Sequence, residues 1–209
     1  METFEMDCEV NYWPYFMKPE EATSLYHHIL ESCDLSRRLV TTFNSKGKEV
    51  NYKLNRGTCI FLEEELKNSE IVPNIWGKDA PKYGWSALML ALKEKIESET
   101  GKKYNICLCN YYATGNRAIG FHSDNEEYGS VSNIASISLG EEREFVFRKK
   151  TLIKEDRISV FLKHGSLLLM GEGCQENYEH SIPANKECKN PRINLTFRLF
   201  SDDRYDKIY

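Results

Sequence analysis

Residues 192–199 read Arg-Ile-Asn-Leu-Thr-Phe-Arg-Leu. Successive side chains of a strand point to opposite faces, so Ile193, Leu195, Phe197 and Leu199 make one apolar face. Arg192, Asn194, Thr196 and Arg198 make a wholly polar one. Such a strand divides a hydrophobic core from something wet. Its polar side either meets solvent or lines the inside of a barrel. Inside, a row with two arginines is costly unless anionic ligands pair with it. Arg192 and Arg198 stand roughly 20 Å apart along an extended strand. Folded inward, the two side chains suit opposite ends of a small dicarboxylate.

The rest of the second half has the same texture. After Gly101, short β runs fall at residues 105–112, 119–122, 133–139, 144–149, 157–163, 166–170 and 192–200. This spacing predicts a sandwich or barrel.

The first half differs. Residues 1–17 are aromatic-rich (Phe4, Tyr12, Trp13, Tyr15, Phe16) and read as an irregular or strand-like lead-in. Pro19-Glu20-Glu21 opens a helix to about Cys33 that buries Leu25 and Ile29. Trp85, Leu88, Met89, Leu92 and Ile96 form the core stripe of a second helix over 85–100, ended by Gly101. Residues 41–57 set Lys46, Lys48, Lys53 and Arg56 against Glu49, which fits a solvated hairpin or a phosphate-contacting arm. Residues 58–62 read as a strand. Residues 63–84 are too long and too punctuated for a tight connection, which suits a lid. The expected fold is α+β, mainly β, in one domain over 1–209. Residues 1–100 form its helical flank and lid, and 101–209 its jelly-roll core.

Composition sets outer bounds. With 41% hydrophobic and 29% charged residues the chain is globular, and it has no apolar run long enough to span a membrane. The start, METFEMDCEV, lacks the basic-then-apolar pattern of a secretory signal, so an intracellular protein is expected, with a monomer as the default. Seven cysteines without a Cys-x-x-Cys pair read as reduced thiols, Cys107 and Cys109 among the buried ones. A net charge of −4 confines any nucleic-acid-binding surface to a local patch.

The chemistry-bearing stretch is Gly120-Phe121-His122-Ser123-Asp124. On a strand His122 and Asp124 share a face, and His180 arriving from a later strand completes two imidazoles and one carboxylate. That donor set leaves coordination positions open, as non-haem Fe(II) oxygenases require. His164, before a strand in His-Gly-Ser, reads as a turn residue.

Several blocks follow one another in order. Asn110-Tyr111-Tyr112-Ala113-Thr114-Gly115 precedes Ile119 to Asp124, then Ile134 to Gly140 and Glu144-Phe145-Val146-Phe147-Arg148. His164 to Met170, His180 and Pro191 to Arg198 complete the series. Together they resemble the AlkB family of Fe(II)- and 2-oxoglutarate-dependent dioxygenases, and most closely its nucleic-acid repair branch. The resemblance implies a double-stranded β-helix with iron on His122, Asp124 and His180. It places 2-oxoglutarate among Asn110, Tyr112, Arg192, Asn194 and Arg198, with Arg198 and Tyr112 on the distal carboxylate and Arg192 and Asn110 nearer the metal. The implied reaction hydroxylates a methyl group on a base nitrogen of DNA or RNA, of the 1-methyladenine or 3-methylcytosine type. It releases formaldehyde, succinate and carbon dioxide.

The chain departs from the family where an acid follows the iron-binding aspartate: it has Asn125, then Glu126 and Glu127. Asn125 and Glu126 are expected to meet the base, with Arg56 also on the substrate. Trp76 or Phe61 is expected as a stacking surface. Two rival readings stay open: a dioxygenase acting on a protein side chain or other non-nucleic-acid target, and a non-catalytic nucleic-acid-binding module.

Overall fold

The computed structural model describes residues 1–43, 46–67, 80–124, 129–151 and 157–201. In chain order the first strands are β1 (Glu2–Thr3), β2 (Val10–Trp13), β3 (Leu39–Phe43), β4 (Glu49–Lys53), β5 (Gly57–Leu62) and β6 (Lys82–Tyr83). Then follow β7 (Ile106–Tyr112), β8 (Ile119–His122), β9 (Ile134–Gly140) and β10 (Arg143–Lys149). The last are β11 (Arg157–Leu162), β12 (Ser166–Met170), β13 (Tyr178–Ile182) and β14 (Arg192–Arg198). Helices are α1 (Pro19–Ser32), α2 (Glu64–Lys67), α3 (Ala87–Thr100) and α4 (Cys174–Asn177).

Two facing sheets carry the fold. The larger runs β1-β2-β12-β9-β14-β7-β5-β6 and the smaller β11-β10-β13-β8, while β3 and β4 form a separate hairpin. This is the jelly-roll core expected from the evenly spaced strands. The alternating strand is its centre: β14 lies between β9 and β7, with Asn194 opposite both Ser138 and Asn110. Its apolar side chains, Ile193, Leu195 and Phe197, are fully buried against the helices. Each buried side chain of this size contributes roughly 1.5–3 kcal/mol. The polar side faces the smaller sheet.

The helices cover the outside of the large sheet. On α1, Leu25 and Ile29 enter the core shared with Met89, Leu92 and Ile96 of α3. The backbone N–H of Lys18 donates to Glu21 at 3.3 Å, a capping contact that starts α1. Ser86 caps α3 by accepting from the Met89 N–H, and Gly101 ends it at φ 68°.

Residues 10–13 take the strand-like form as β2, paired to β12. Four sequence expectations are corrected. With β5 and β6 also in the large sheet, residues 1–100 are more than a helical flank. Strand β13 is the later strand expected to carry His180, but it is missing from the β runs read along the chain, because Tyr-Glu-His-Ser-Ile has no apolar alternation. Leu88 does not join the core stripe: it is 40% exposed, whereas Trp85 precedes the helix and stacks on Phe197. Phe61 is only 2% exposed among Tyr83 and Trp85, so it presents no stacking surface to a base.

The hairpin β3–β4 is held at its stem rather than by a sheet. Arg37 donates to the Leu54 carbonyl at 2.5 Å, and Asn55 donates to that of Ala118 at 2.7 Å. Gly57 lies against Leu35, where a Cβ would overlap the Leu35 carbonyl oxygen. Gly57→Ala therefore has to push the two backbones apart, and it is expected to destabilise by about 2 kcal/mol. A urea unfolding midpoint equal to that of the parent protein would show that the stem yields freely.

Candidate active site

The inner faces of β7, β8, β9, β13 and β14 enclose one polar cavity between the sheets. It is lined by His122, Asp124, His180, Asn110, Tyr112, Arg192, Asn194 and Arg198, together with Arg56 and several apolar side chains. The strand ladders bring the metal donors together. His180 on β13 pairs directly with His122 on β8, and Asp124 follows two residues after His122. Their donor atoms all lie within 4.8 Å of one another. His122 Nε2 is 3.9 Å and His180 Nε2 3.8 Å from the two Asp124 oxygens. Three donors converging on one point with one side open fit a metal that keeps positions for further ligands.

Neighbours fix each donor. The Nδ1 of His122 is 2.9 Å from the Gly120 carbonyl oxygen, which sets the ring and leaves Nε2 for a metal. Phe145 stacks on His180 with centroids 5.1 Å apart. The backbone N–H of Asp124 donates to the buried side chain of Gln175 on α4 at 2.9 Å. The Ser123 hydroxyl donates to the Tyr178 carbonyl at 2.8 Å. Gln175 and Phe145 are site residues that sequence reasoning missed. Gln175 sits in a one-turn helix without periodicity, and nothing in its local sequence marks it.

Electrostatics favour the ligating forms. Burial pushes the Asp124 carboxyl up, but its neighbours, the Arg198 guanidinium foremost, outweigh this and leave it below the usual carboxylate range. Burial pushes the His180 imidazolium down to about 4, so the ring is neutral and its lone pair is available at neutral pH.

The two arginines mark the ends of the cavity. Arg198 Nη2 is 2.9 Å from Asp124 Oδ1, which puts Arg198 at the metal end. Arg192, six residues back on β14, donates to Ser138 at 2.8 Å, and its guanidinium carbon is 5.4 Å from the Tyr112 ring centroid. The expected assignment of ends is thus reversed: Arg192 and Tyr112 form the distal end. Strand spacing gives their separation but not their direction. Only the position of Asp124 beyond β8 decides it.

Arg192 is 2% exposed, and its Nε and Nη1 have no hydrogen-bond partner among the described residues. Burial lowers its guanidinium to about 10, with Tyr112 opposing the shift. A buried cation with two donors unused is what a carboxylate of 2-oxoglutarate would satisfy. Asn194 donates to Ser136 at 2.7 Å while its oxygen accepts from Thr196, so the amide is oriented by the sheet itself.

Arg56 is not a free arm. Its Nε donates to Asn110 Oδ1 at 2.5 Å, placing it on the cavity wall. Asn125, Glu126 and Trp76 lie outside the described residues. His164 is structural: its Nδ1 accepts from the Gly140 N–H at 2.9 Å. All seven cysteines are unbridged, with Cys107 and Cys109 fully buried. Among the described residues no helix is long and apolar enough to cross a membrane.

Comparison with known proteins agrees with this geometry. Residues 9–198 match the 2OG-Fe(II) oxygenase superfamily. The human alpha-ketoglutarate-dependent dioxygenase alkB homolog 3 is 36% identical over 199 residues, 91% of this chain and 66% of the relative. Its bovine counterpart is 31% identical over 198 residues, 91% of this chain and 65% of the relative. The human DNA oxidative demethylase ALKBH2 is 38% identical over 121 residues, 54% of this chain and 46% of the relative. The chain thus spans just under two-thirds of the longer matches. Among solved structures, OsALKBH1 superposes with a TM-score of 0.62 at 16% identity, over 93% of this chain and 100% of that one. A prolyl hydroxylase from Trichoplax adhaerens follows at 0.60 and 9%, over 95% and 86%, and both likenesses show the fold alone. The chain belongs to the 2OG-Fe(II) oxygenase superfamily, and within it is similar to the alkB homologues.

Proposed function

We propose that this chain is an Fe(II)- and 2-oxoglutarate-dependent dioxygenase that demethylates N-methylated bases of DNA or RNA. Fe(II) and 2-oxoglutarate are the metal and cosubstrate of its family. The observation that carries the reading is one cavity with His122, Asp124 and His180 at one end and the buried, under-satisfied Arg192 at the other. The donor set fits Fe(II), and the paired arginines fit a dicarboxylate. A non-catalytic binding module has no need of either.

Each residue has a task. His122, Asp124 and His180 hold the metal. Arg192 and Tyr112 take the far carboxylate, while Arg198 neutralises charge at the near end and keeps Asp124 ionised. Asn110, oriented by Arg56, and Asn194, oriented by Ser136, supply polar contacts along the cosubstrate. When bound, the metal and cosubstrate supply with oxygen the oxidation that hydroxylates an N-methyl group, and the product loses formaldehyde. His122 is the more open of the two histidines, its side chain 33% exposed against 7% for His180, so the base approaches from its side. A base must leave its stack to arrive there. The nucleic-acid target is supported by the human relative named a DNA oxidative demethylase.

The test is formaldehyde release from a single-stranded oligonucleotide bearing one 1-methyladenine, with Fe(II), ascorbate and 2-oxoglutarate. Release only with 2-oxoglutarate is expected. Succinate without formaldehyde would keep the iron chemistry and overturn the substrate. Neither product from folded, iron-loaded protein would overturn both.

A further inference from the structure

Behind the two metal histidines, on the outer face of the small sheet, one guanidinium touches the chain neighbour of each. Arg148 on β10 is paired in register with Glu179, the residue before His180. Its Nε donates to Glu179 Oε2 at 3.2 Å, and Nη2 bonds the same oxygen. The Arg148 guanidinium carbon also lies 4.0 Å from the ring centroid of Phe121, the residue before His122. Side chains alternate along a strand, so Glu179 and Phe121 point out where His180 and His122 point in.

The backbone secures His122 less firmly than His180, which sits in an unbroken four-pair ladder with β10. β8 and β13 are paired at His180 and His122, but the register shifts immediately afterwards, between His180 and Ile182. A bulge bends a strand and interrupts its ladder. The outer face carries a second unusual feature. Arg148 and Arg157 are directly opposite across β10 and β11, a like-charge pair that destabilises a sheet. Both reach the Phe121 ring, Arg157 at 5.5 Å. The ring and Glu179 offset a repulsion that two neutral residues would never create.

We propose that Arg148 is a positioning residue for the metal site. By gripping Phe121 and Glu179 together it holds β8 and β13 at the spacing that brings His122 and His180 onto one ion. It acts through neighbours and touches neither metal nor substrate. The proposal rests on the metal reading above, and is independent of which substrate the enzyme takes.

Electrostatics and positioning make opposite demands here. Deleting a cation near a cation site strengthens metal binding by Coulomb's law. If Arg148 positions the histidines, deletion weakens it. The experiment titrates Co(II) into apo-protein without 2-oxoglutarate or nucleic acid, following affinity and the visible d–d spectrum. Arg148→Met is expected to bind about tenfold more weakly, the lower end of losses for residues supporting metal ligands, with an altered band shape. Arg157→Met, which removes the same charge from the same ring but has no contact with Glu179, is expected to stay within about twofold. Phe121→Leu, neutral in charge, is expected to weaken binding too, and its effect combined with Arg148→Met should fall short of the sum. Thermal unfolding of each apo variant confirms that it folds, and Phe121→Leu carries the test if Arg148→Met does not. Unchanged or tighter Co(II) binding by a folded variant, equal losses at Arg148 and Arg157, or strict additivity would overturn the proposal. A parent protein that fails to bind Co(II) would overturn the metal reading itself.

Discussion

Arg192→Met is expected to raise the KM for 2-oxoglutarate about a hundredfold, or about 2.7 kcal/mol, while making the apo-protein more stable. The two effects share one cause. Arg192 is nearly sealed from solvent, with two guanidinium nitrogens lacking partners among the described residues. Without an anion this is a buried charge held at a loss. A thioether of similar length removes the loss, and such replacements stabilise by about 1–4 kcal/mol. With the cosubstrate present, the same change leaves a carboxylate unpaired in a dry pocket. Arg192→Lys should recover little, because an ammonium cannot reproduce the planar fork. Steady-state kinetics against 2-oxoglutarate and a thermal melt without it check both signs. An unchanged KM would take Arg192 out of the cosubstrate site.

At the other end of the cavity the stability effect reverses. Asp124→Ala is expected to abolish metal binding and reduce 2-oxoglutarate turnover about a thousandfold, or about 4 kcal/mol. Asp124 accepts from Arg198 at 2.9 Å, and both side chains are largely buried. Removing the carboxylate breaks a buried pair, so the apo-protein should lose about 3 kcal/mol. Succinate formation, metal content and a denaturant midpoint test these outcomes. Persistent 2-oxoglutarate turnover by the variant would show that Asp124 is not a ligand.

The polar–apolar alternation of β14 reveals both its buried side and its cavity side, because a strand's period is unambiguous over seven residues. His122 is legible for the same reason, whereas Asp124, expected on the same strand, comes from the loop after β8; it and His180 are legible through their place in an ordered series of motifs. Its own strand is not, since Tyr178–Ile182 is buried against Phe147 and the histidine pair rather than by an alternating pattern. The direction of the cosubstrate comes out reversed, because strand spacing carries no information about the loop that delivers Asp124. A run of like charges makes Arg56 look like an outward arm. It turns inward to Asn110, a contact between residues 54 positions apart that local composition does not encode. Leu88 satisfies the helical stripe yet stays largely exposed, for periodicity marks a face and not its width.

The central place of β14 governs when this molecule can become itself during synthesis. On one side of it lie β9, β12, β2 and β1; on the other, β7, β5 and β6. All seven leave the ribosome before residue 192, yet they remain two unjoined sheets until β14 is inserted between them. The metal ligands are likewise complete by His180, ahead of the strand that brings Arg192 and Arg198. The nascent chain therefore exposes two open strand edges, those of β9 and β7, for as long as that last stretch takes to emerge. A stop codon anywhere in residues 183–191 would leave the small sheet with His122 and His180 whole, and no joined large sheet across the cavity to face it.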